Sequence, residues 1–488
     1  MSENLLAIDN GTQSVRALLF DPCGNLLAKQ RVPIEPYYST APGLAEQDPE
    51  VFWRAVCEAC QGLWAQGVDK TSIAAVALTT QRSTVINVDK NGKPLRPAIV
   101  WLDQRRTEGL KPVGGLWGAA FAVAGASETV AYLQAEAEAN WIRTNQPQVW
   151  DETHKYLLLS GYLTFRLTGQ FVDSVSSQVA YIPFDYKSQA WAKRWDWKWL
   201  AVPMEKRLLP DLVPAASQLG VISAEAASAT GIPQGLPLIA AAADKATEVL
   251  GAGCLEPHIG CLSYGTTATI NTTHKKYIEV IPLLPPYPAA VPGGYSFEIQ
   301  IYRGYWMVSW FKHQFGLREQ KLADERGVEP ESLFDDLIRS VPPGSDGLVL
   351  QPYWSPGLRF PGPEARGAIV GITRGTTKNH IVRAAIEAMC YRTRDVVDTM
   401  LEDTGLQLKE LKVDGGAAAN DFLCQFQADM LGVRVVRPVD VESTARGAAA
   451  LAGLGAAFWR SVDELNAARA IDREFLPAMS GQQRSRLY

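Results

Sequence analysis

A pattern of strand, glycine turn and strand occurs twice in the chain, once at the start and once past the midpoint. Residues 5–34 alternate with the two-residue period of β-strands and are interrupted by the turns NGTQS and PCGN, which predicts an antiparallel three-strand meander. Residues 260–273 again indicate strand, Gly-Thr turn and strand. This repetition predicts an internal duplication, with Gly11-Thr12 and Gly265-Thr266 at corresponding turns.

The elements around the two meanders predict mixed α/β sheets. A helix at 50–66 and a buried strand at 74–80 follow the first meander, and a long helix at 379–402 follows the second. The segments LKVDGG and VRVVRP indicate further strands, and STARGAAALAGLGAAFW indicates a small-residue helix. With 488 residues, the chain is too long for one core. We expect two domains, 1–247 and 248–488, with an interdomain cleft and a boundary near 245–253.

Composition and charge exclude several classes of partner. A net charge of −5 gives no basic field for nucleic acid or an anionic membrane. The N-terminus lacks the features of a secretion signal, so we expect a cytoplasmic protein. The apolar stretch at 113–127 is too short to span a bilayer and is interpreted as a loop or a buried helix. Cys57 and Cys60 have CxxC spacing but lie in a helical pattern, which favours core packing over a zinc site.

The first polar turn, from Asp9 to Ser14 with Arg16 two residues on, has the chemistry of a phosphate site. Glycine lets backbone N–H groups approach phosphate oxygens, the hydroxyls of Thr12 and Ser14 add donors, and Asp9 can hold Mg²⁺ through water. An ordinary Asx turn closing a hairpin is the alternative. The turn Gly265-Thr266 repeats this chemistry, and the pairing favours the phosphate interpretation of both.

A carboxylate at Asp244 ends the apolar run PLIAAAAD. Burial at the end of a strand would make it a suitable general base. A helix N-cap is the alternative, since Asp244 precedes KATEVL.

Two further segments are candidate binding sites. Gly415 and Gly416 in VDGGAAAN, with Asn420, suit a nucleotide near a helix N-terminus, or serve packing alone. Gln81-Arg82-Ser83 follows the strand at 74–80, and the segment WLDQR places Trp101, Asp103 and Arg105 after another apolar strand. Arginine and aspartate over an aromatic floor suit a sugar, and surface ion pairing is the alternative.

These residues resemble the motifs of the FGGY carbohydrate kinases, whose members include glycerol kinase and xylulokinase, from about Leu5 to Trp459. The likeness rests on GAIVGI at 367–372, NHIVRAAIE at 379–387 and VDGGAAANDFLCQFQADMLGVRVVRP at 413–438. The resemblance implies a fold similar to actin and Hsp70, in which two ribonuclease-H-like domains are hinged around ATP.

The resemblance also implies residue roles. Asp9 would attend Mg²⁺, Asp244 would be the catalytic base, and Thr266 would meet the γ-phosphate. Substrate binding would fall to Arg82, Trp101 and Asp103, with Ser83 and Lys245 beside them. The other expected ATP contacts are Thr12, Gln13, Ser14, Arg16, Gly265, Gly304, Gly415, Gly416 and Asn420.

Departures from the family pattern bear on the substrate. In glycerol kinases, Glu follows the matching arginine and Gln follows the catalytic Asp. This chain has Ser83 and Lys245 at these two positions. Glu138 replaces the Lys that the family's first signature carries before a Trp. Xylulokinases carry Met-His at Gln81-Arg82, although PLRPAIVW and Asp103 look xylulokinase-like.

The expected reaction is phosphorylation by MgATP of a hydroxyl on a small sugar or polyol. A ketose such as xylulose is the first expected substrate, and glycerol is the alternative. Lys245 would either pair with the carboxylate of a sugar acid or be a solvated or ion-paired lysine in the first turn after Asp244. Rivals are a nucleotide-switched binding module of actin-like fold and a kinase-like protein without activity. The oligomeric state stays open, a homodimer being one alternative.

Overall fold

The structure of the protein is a computed structural model. It describes residues 3–264, 268–279, 283–301, 310, 314, 316–327, 330–352, 366–405, 407–439, 442–462, 464 and 471–488.

The first half of the chain contains the predicted meander, followed by helices and short strands. Its strands are β1 (Asn4–Asn10), β2 (Ser14–Phe20), β3 (Leu26–Pro33), β4 (Glu46–Gln47), β5 (Ile73–Thr80), β6 (Val85–Val88), β7 (Ala98–Ile99), β8 (Lys155–Leu158), β9 (Val172–Ser174), β10 (Phe184–Asp185), β11 (Ala190–Trp191), β12 (Asp211–Val213), β13 (Gln218–Val221) and β14 (Pro237–Ala243). Its helices are α1 (Pro49–Trp64), α2 (Gly115–Val123), α3 (Ser127–Glu136), α4 (Glu138–Asn145), α5 (Pro147–Glu152), α6 (Leu159–Thr168), α7 (Lys198–Ala201), α8 (Ala224–Thr230) and α9 (Asp244–Ala252).

The second half begins with the second predicted meander. Its strands are β15 (Ile259–Tyr264), β16 (Ala268–His274), β17 (Tyr287–Pro288), β18 (Tyr295–Ile301), β19 (Val349–Gln351), β20 (Ala368–Val370), β21 (Glu410–Asp414), β22 (Arg434–Pro438) and β23 (Ile471–Phe475). Its helices are α10 (Leu317–Arg326), α11 (Pro330–Arg339), α12 (Lys378–Thr404), α13 (Asp421–Leu431), α14 (Ser443–Gly455) and α15 (Gly481–Leu487). Short 3₁₀ turns lie at Lys70–Ser72, Val175–Ser177, Lys206–Leu208, Ser345–Gly347 and Gly416–Ala419.

The chain forms two compact units. The first unit comprises Met1–Gly253, Lys275–Ser296 and Ser443–Arg469, and the second comprises Cys254–His274, Phe297–Glu442 and Ala470–Tyr488. The division at 247/248 expected from the sequence differs from these units, because that boundary cuts α9 and assigns α14 to the second domain. In the structure α14 packs on α9 and on the central strands of the first unit.

The first unit is built on a six-stranded mixed sheet in the order β13-β14-β5-β1-β2-β3. The predicted meander of β1, β2 and β3 is confirmed as antiparallel, whereas β1, β5 and β14 run parallel. Apolar residues on both faces of these three strands are covered by helices, which explains their nearly continuous apolar sequences. The parallel strands therefore end together at one edge of the sheet.

Helix α1 shows how sequence sets one of these covering layers. Asp48 caps the helix by accepting a hydrogen bond from the backbone N–H of Glu50, and a proline occupies the first helical position. Its apolar residues recur every three or four positions, and this face, which includes Phe52 and Val56, is buried against the sheet. Cys60 lies in the same core and Cys57 is half-buried, which confirms core packing.

The opposite face is closed by a very close contact between α9 and α14. A methyl group added at Gly251 would lie 1.7 Å from the carbonyl oxygen of Ser443, and one added at Gly447 would lie 1.9 Å from that of Thr247. Only glycine allows backbones to approach so closely. The small-residue sequence of α14 thus fixes its place beneath the sheet.

The second unit repeats the topology of the first. Strands β16, β15, β21, β22 and β23 lie side by side in this order, with β15, β21 and β22 parallel and the two outer strands antiparallel. This matches the order β2, β1, β5, β14 and β13 in the first unit. The predicted duplication is confirmed at the level of sheet topology, and the predicted long helix is α12.

The apolar stretch at 113–127 corrects an expectation. It contains α2, which is neither a loop nor a buried helix, because Leu116 and Val123 are each 92% exposed. The ring of Phe121 attaches the helix by packing edge-on against Trp197 with 5.4 Å between ring centroids. Among the described residues, no helix is both long and apolar enough to cross a membrane.

The contact between α9 and α14 gives a stability prediction. Gly251→Ala should lower the free energy of unfolding by at least about 1–3 kcal/mol, because the new methyl has no room. Denaturant titration would measure the loss. Gly114→Ala is the matched control, since a methyl group at this position meets no atom within 4 Å. Equal stability of the two variants would contradict the proposed tight contact.

Candidate active site

Polar residues follow all three parallel strands of the first unit and meet at one sheet edge. The segments are DNGT, which begins with the last two residues of β1, QRS after β5 and DK after β14. Strand pairing sets Asp9 opposite Thr79 and Thr80 opposite Ala243, and the N–H of Gln81 donates to the carbonyl of Asn10 at 2.9 Å. The carboxyl edge of parallel strands is the usual ligand site of α/β proteins.

The turn between β1 and β2 holds a buried carboxylate beside a cation. Asp9 and Arg16 are cross-strand partners, and Arg16 Nη1 lies 3.4 Å from Asp9 Oδ2. The N–H of Gly11 closes the turn on the carbonyl of Ser14 at 3.1 Å, while the Gln13 side chain is exposed. The turn closes a hairpin, but the Asn10 amide makes no hydrogen bond of an Asx turn with the described residues, and the phosphate role of the turn stays a prediction.

Trp101 lies against the same turn. Its indole Nε1 donates a hydrogen bond to Thr12 Oγ1 at 3.0 Å. The contact joins residues 89 positions apart, so the expected aromatic floor and the expected phosphate turn are neighbours in the structure.

Asp244 begins α9 directly after β14. The N-cap is Ala243, whose backbone is not helical, so the alternative that Asp244 is itself the cap is wrong. A carboxylate in the first turn is favoured by the helix dipole. Thr247 fixes this turn, since its hydroxyl donates to the carbonyl of Asp244 at 2.8 Å and lies 3.0 Å from the hydroxyl of Thr79 on β5.

The protonation of Asp244 is set by burial and by two cations. Burial raises the pKa of its carboxyl by more than the charges of Arg82 and Lys245 lower it. A carboxylate with a raised pKa is a better proton acceptor, as a general base requires.

Arg82 is held by its neighbours at the end of β5. Ser83 has a positive φ of 55°, which is rare for serine, and both its N–H and its hydroxyl donate to the carbonyl of Val179, at 3.1 and 2.8 Å. The guanidinium of Arg82 lies over the ring of Tyr287, 5.2 Å from its centroid. A strained, hydrogen-bonded turn and an aromatic ring therefore orient Arg82 beside Asp244.

Two buried amides at this edge have no hydrogen-bond partner among the described residues. They belong to Asn10 at the end of β1 and Gln81 after β5, which are 0% and 2% exposed. Such a group is unfavourable by about 1–3 kcal/mol when left unsatisfied. A hydroxyl-rich ligand or a bound water would supply the missing partners.

Lys245 pairs within the protein. Its ammonium lies 2.8 Å from Glu248 Oε2, one turn along α9, and Glu248 is buried. This ion pair agrees with the second of the two expectations for Lys245. Contact of Lys245 with substrate stays a prediction.

Asp103 belongs to a buried network. Its two carboxylate oxygens accept hydrogen bonds from Arg105 Nε and Nη2, both at 2.7 Å, and from the N–H of Ala45 at 2.6 Å. Arg105 also contacts Glu46 at 2.9 Å and lies 4.4 Å from the centroid of the Trp141 ring. The ion pair is not on the surface, so that alternative is wrong. Substrate binding by Asp103 stays a prediction.

Glu138 is the unusual member of this region. It lies at the start of α4, and its Oε2 is buried without a hydrogen-bond partner in the described part of the chain. Burial raises the pKa of Glu138 to about 8, and the nearby carboxylates of Asp103 and Glu136 act in the same direction.

The expected nucleotide residues of the second unit lie after β21. Gly415 has a φ of +88°, and a methyl there would lie 2.4 Å from the carbonyl oxygen of Tyr264, so only glycine fits. Gly416 opens a 3₁₀ turn. Asn420 caps α13 by accepting from the N–H of Leu423 at 2.7 Å, and its amide donates to Asp335. Nucleotide binding by these residues stays a prediction.

Three expected residues, Gly265, Thr266 and Gly304, lie outside the described residues.

The donor set fits Mg²⁺ bound together with a nucleotide. Within the described ranges, no group of three or more histidine, cysteine, aspartate or glutamate side chains could hold a metal ion by itself. Mg²⁺ commonly uses one or two carboxylates, several waters and substrate phosphates. Asp9, at the end of β1 beside the glycine turn, would be the carboxylate in such a site, and this role stays a prediction.

Family comparisons match this architecture. The model for the N-terminal domain of the FGGY family of carbohydrate kinases matches residues 4–251, and that for the C-terminal domain matches residues 260–456. The chain belongs to the FGGY family of carbohydrate kinases. It is therefore a phosphotransferase with an alcohol acceptor, and not a nucleotide-switched binding module that merely shares the actin-like fold.

The sequence relatives of this kinase include glycerol kinases. That of Shewanella sp. (strain ANA-3) is 33% identical, with 99% of this chain and 97% of the relative covered. That of Carboxydothermus hydrogenoformans is 34% identical, with 99% and 96% covered.

Solved structures show the same fold at lower sequence identity. A ligand-bound xylulose kinase from Lactobacillus acidophilus has a TM-score of 0.82 and 22% identity, with 99% of this chain and 95% of that chain covered. Plasmodium falciparum glycerol kinase with ADP has a TM-score of 0.79 and 22% identity, with 99% and 96% covered. The actin- and Hsp70-like fold expected from the sequence is thereby confirmed.

Sequence reasoning missed two residues of this site. Tyr287, under Arg82, comes from the proline-rich segment 275–296, which returns to the first unit from the second half of the chain. No local pattern indicates that return. Glu248 had a signal, because its spacing of three from Lys245 in a predicted helix is that of an ion pair.

The raised pKa of Glu138 predicts a pH effect on stability. Above its ordinary pKa of 4.5 the unfolded chain loses this proton, whereas the folded protein keeps it up to about pH 8. Ionisation therefore destabilises the folded kinase increasingly over this interval. Because Glu138→Gln cannot ionise, we expect its Tm to rise relative to the wild type as pH increases from 5 to 8.5.

The exposed Glu128 provides the control for this experiment. Glu128→Gln should follow the wild-type dependence of Tm on pH. Parallel curves for the wild type and Glu138→Gln would show that Glu138 ionises normally in the folded protein.

Proposed function

We propose that this kinase transfers the γ-phosphoryl group of ATP to a hydroxyl of a small, uncharged polyol or ketose. The observation that carries the proposal is the placement of Asp244, with its raised pKa, beside Arg82 at the carboxyl edge of the parallel strands. The unpartnered buried amides of Asn10 and Gln81 at this edge support a ligand rich in hydroxyls.

The residues suggest the following chemistry. The substrate hydroxyl donates its proton to Asp244 while its oxygen bonds to the γ-phosphorus. The bond from that phosphorus to the β–γ bridging oxygen breaks, and ADP leaves. Arg82 and Trp101 orient the substrate, so that much of the rate enhancement comes from positioning.

Each unit carries residues proposed to contact the nucleotide. The first turn contributes Thr12, Gln13, Ser14 and Arg16, and the motif after β21 contributes Gly415, Gly416 and Asn420. Mg²⁺, held by Asp9 through water, would neutralise phosphate charge when bound with ATP.

An uncharged substrate follows from the pairing of the cations. Lys245 is bound to Glu248, and Arg82 lies beside Asp244. Both cations near the base therefore already face carboxylates, which disfavours a sugar acid.

Among uncharged compounds, a ketose such as xylulose is the first candidate. Ser83 and Lys245 stand where glycerol kinases carry Glu and Gln. Glycerol is the second candidate, favoured by the glycerol kinases that match 99% of the chain.

A coupled ADP-release assay tests the substrate class. We expect turnover with xylulose, xylitol or glycerol and at least tenfold lower kcat/KM with gluconate. A preference for gluconate over the neutral compounds would overturn the assignment of an uncharged substrate.

Asp244→Asn tests the general base. We expect kcat to fall at least about 100-fold, since an amide cannot accept the proton, with ATP affinity within about twofold of the wild type. Asp151→Asn, an exposed position on α5, should keep full activity. A kcat above about a tenth of the wild-type value in Asp244→Asn would contradict the role of the carboxylate.

Tyr287 tests the orientation of Arg82. A cation–π contact contributes about 0.5–2 kcal/mol, so Tyr287→Leu should raise KM for the acceptor about 2- to 30-fold with KM for ATP unchanged. Tyr287→Phe retains the ring and should restore acceptor KM to within about twofold. Equal effects of the two substitutions would assign the role to the hydroxyl instead of the ring.

A further inference from the structure

A cavity of about 190 Å³ lies in the first unit next to the residues that hold Arg82. Its lining includes Ser83 from the turn after β5 and Tyr287, the residue under the Arg82 guanidinium. The cavity thus shares two wall residues with the proposed acceptor site. Arg82 and the base Asp244 are not themselves among the lining residues.

The walls of the cavity are largely apolar. Leu133, Ile182 and Leu283 supply aliphatic surface, and the ring of Trp197 is fixed from behind by Phe121. Walls of this kind favour apolar groups, because binding removes apolar surface of both partners from water.

Three polar side chains of the lining already have partners within the protein. The hydroxyls of Ser83 and Tyr186 donate to the carbonyls of Val179 and Ala180, at 2.8 and 3.1 Å. Lys198 lies within 3.4 Å of both carboxylate oxygens of Asp196. These pairings disfavour a phosphate or carboxylate as the occupant.

Ser83 has a direct part in keeping this space open. Its hydroxyl is folded onto the carbonyl of Val179, which is also a lining residue. A short side chain bound to the wall leaves room that a longer side chain would occupy.

We propose that this cavity is a substrate subsite, which takes an uncharged and largely apolar group at the end of the acceptor that is not phosphorylated. The inference rests on the proposed function and narrows it to acceptors with a polyol or ketose head and an alkyl, deoxy or aryl end. A cavity of about 150 Å³ holds benzene, so one of 190 Å³ accommodates a group of about six carbons.

Matched pairs of acceptors test the subsite. The pairs are glycerol with 3-phenoxy-1,2-propanediol, and xylulose with 1-deoxyxylulose. We expect kcat/KM to be at least tenfold higher for the phenyl ether than for glycerol, and higher for the deoxy sugar than for xylulose. Calorimetry should show a more negative heat capacity of binding for the phenyl ether, the mark of apolar burial.

A variant that fills the cavity provides the second arm. Leu133→Trp should lower the preference for the phenyl ether over glycerol at least tenfold. Leu200→Trp makes the same change on α7 at an exposed position outside the lining and should keep the wild-type preference. Ala180→Phe, at another wall residue, repeats the test if Leu133→Trp lowers the Tm.

The outcomes separate this inference from the proposed function. If glycerol or xylulose is phosphorylated but the apolar analogues show no preference, the subsite is overturned and the kinase assignment stands. If glycerol or xylulose is phosphorylated and the phenyl ether binds only as an inhibitor, the subsite is also overturned. If no acceptor is phosphorylated, yet the wild type binds the phenyl ether more tightly than glycerol and Leu133→Trp does not, the apolar site is upheld and the proposed function fails.

Discussion

Parallel pairing of β1, β5 and β14 is the constraint on which the candidate site depends. These strands lie far apart in the sequence, and each ends in a polar segment. Their common direction and register bring Asp9, Arg82 and Asp244 to one edge of the sheet. If any of the three strands were antiparallel, its polar end would lie at the opposite edge. The chemistry of the site thus follows from strand direction before any side-chain contact is considered.

The surrounding layers convert that placement into defined side-chain geometry. The hydroxyl contact between Thr79 and Thr247 fixes the first turn of α9, where Asp244 lies. The glycines of α9 and α14 allow the close packing that holds α9 from behind. On the other side of the base, the strain at Ser83 and the ring of Tyr287 orient Arg82. Packing and polar contacts therefore act together to fix the positions of Asp244 and Arg82.

Much of the fold could be predicted from the sequence because its signals are local. The period-2 pattern and turn residues of the first meander, and the helical periodicity of α1 and α12, each depend on neighbouring residues. The exposure of α2 could not be predicted from the segment 113–127, because its Ala and Gly content does not show whether other side chains pack against the helix. The assignment of α14 to the first unit was equally inaccessible, since the close approach at Gly447 is a tertiary contact.

Some residues of the candidate site could likewise be predicted from the sequence, and others could not. Asp244 and Arg82 were predictable, because a charged residue at the end of an apolar strand is a local signal. Asp103 and Arg105 are two residues apart, so their pairing is also a local signal. The burial of this pair is not a local signal, because Glu46 and Trp141, which contact Arg105, come from other segments. Tyr287 could not be predicted, since it reaches Arg82 only through the return of 275–296 to the first unit.

The late position of α14 has a consequence for synthesis on the ribosome. One face of β1, β5 and β14 is covered by a helix encoded about 190 residues after α9 ends. At about 5–20 residues per second, the nascent chain waits roughly 10–40 s for that cover. During this interval the apolar face of the first sheet is available to chaperones or to other nascent chains. A fragment that stops at Gly253 would keep that face open permanently, so the first unit needs the segment Ser443–Arg469 in addition to the residues before Gly253.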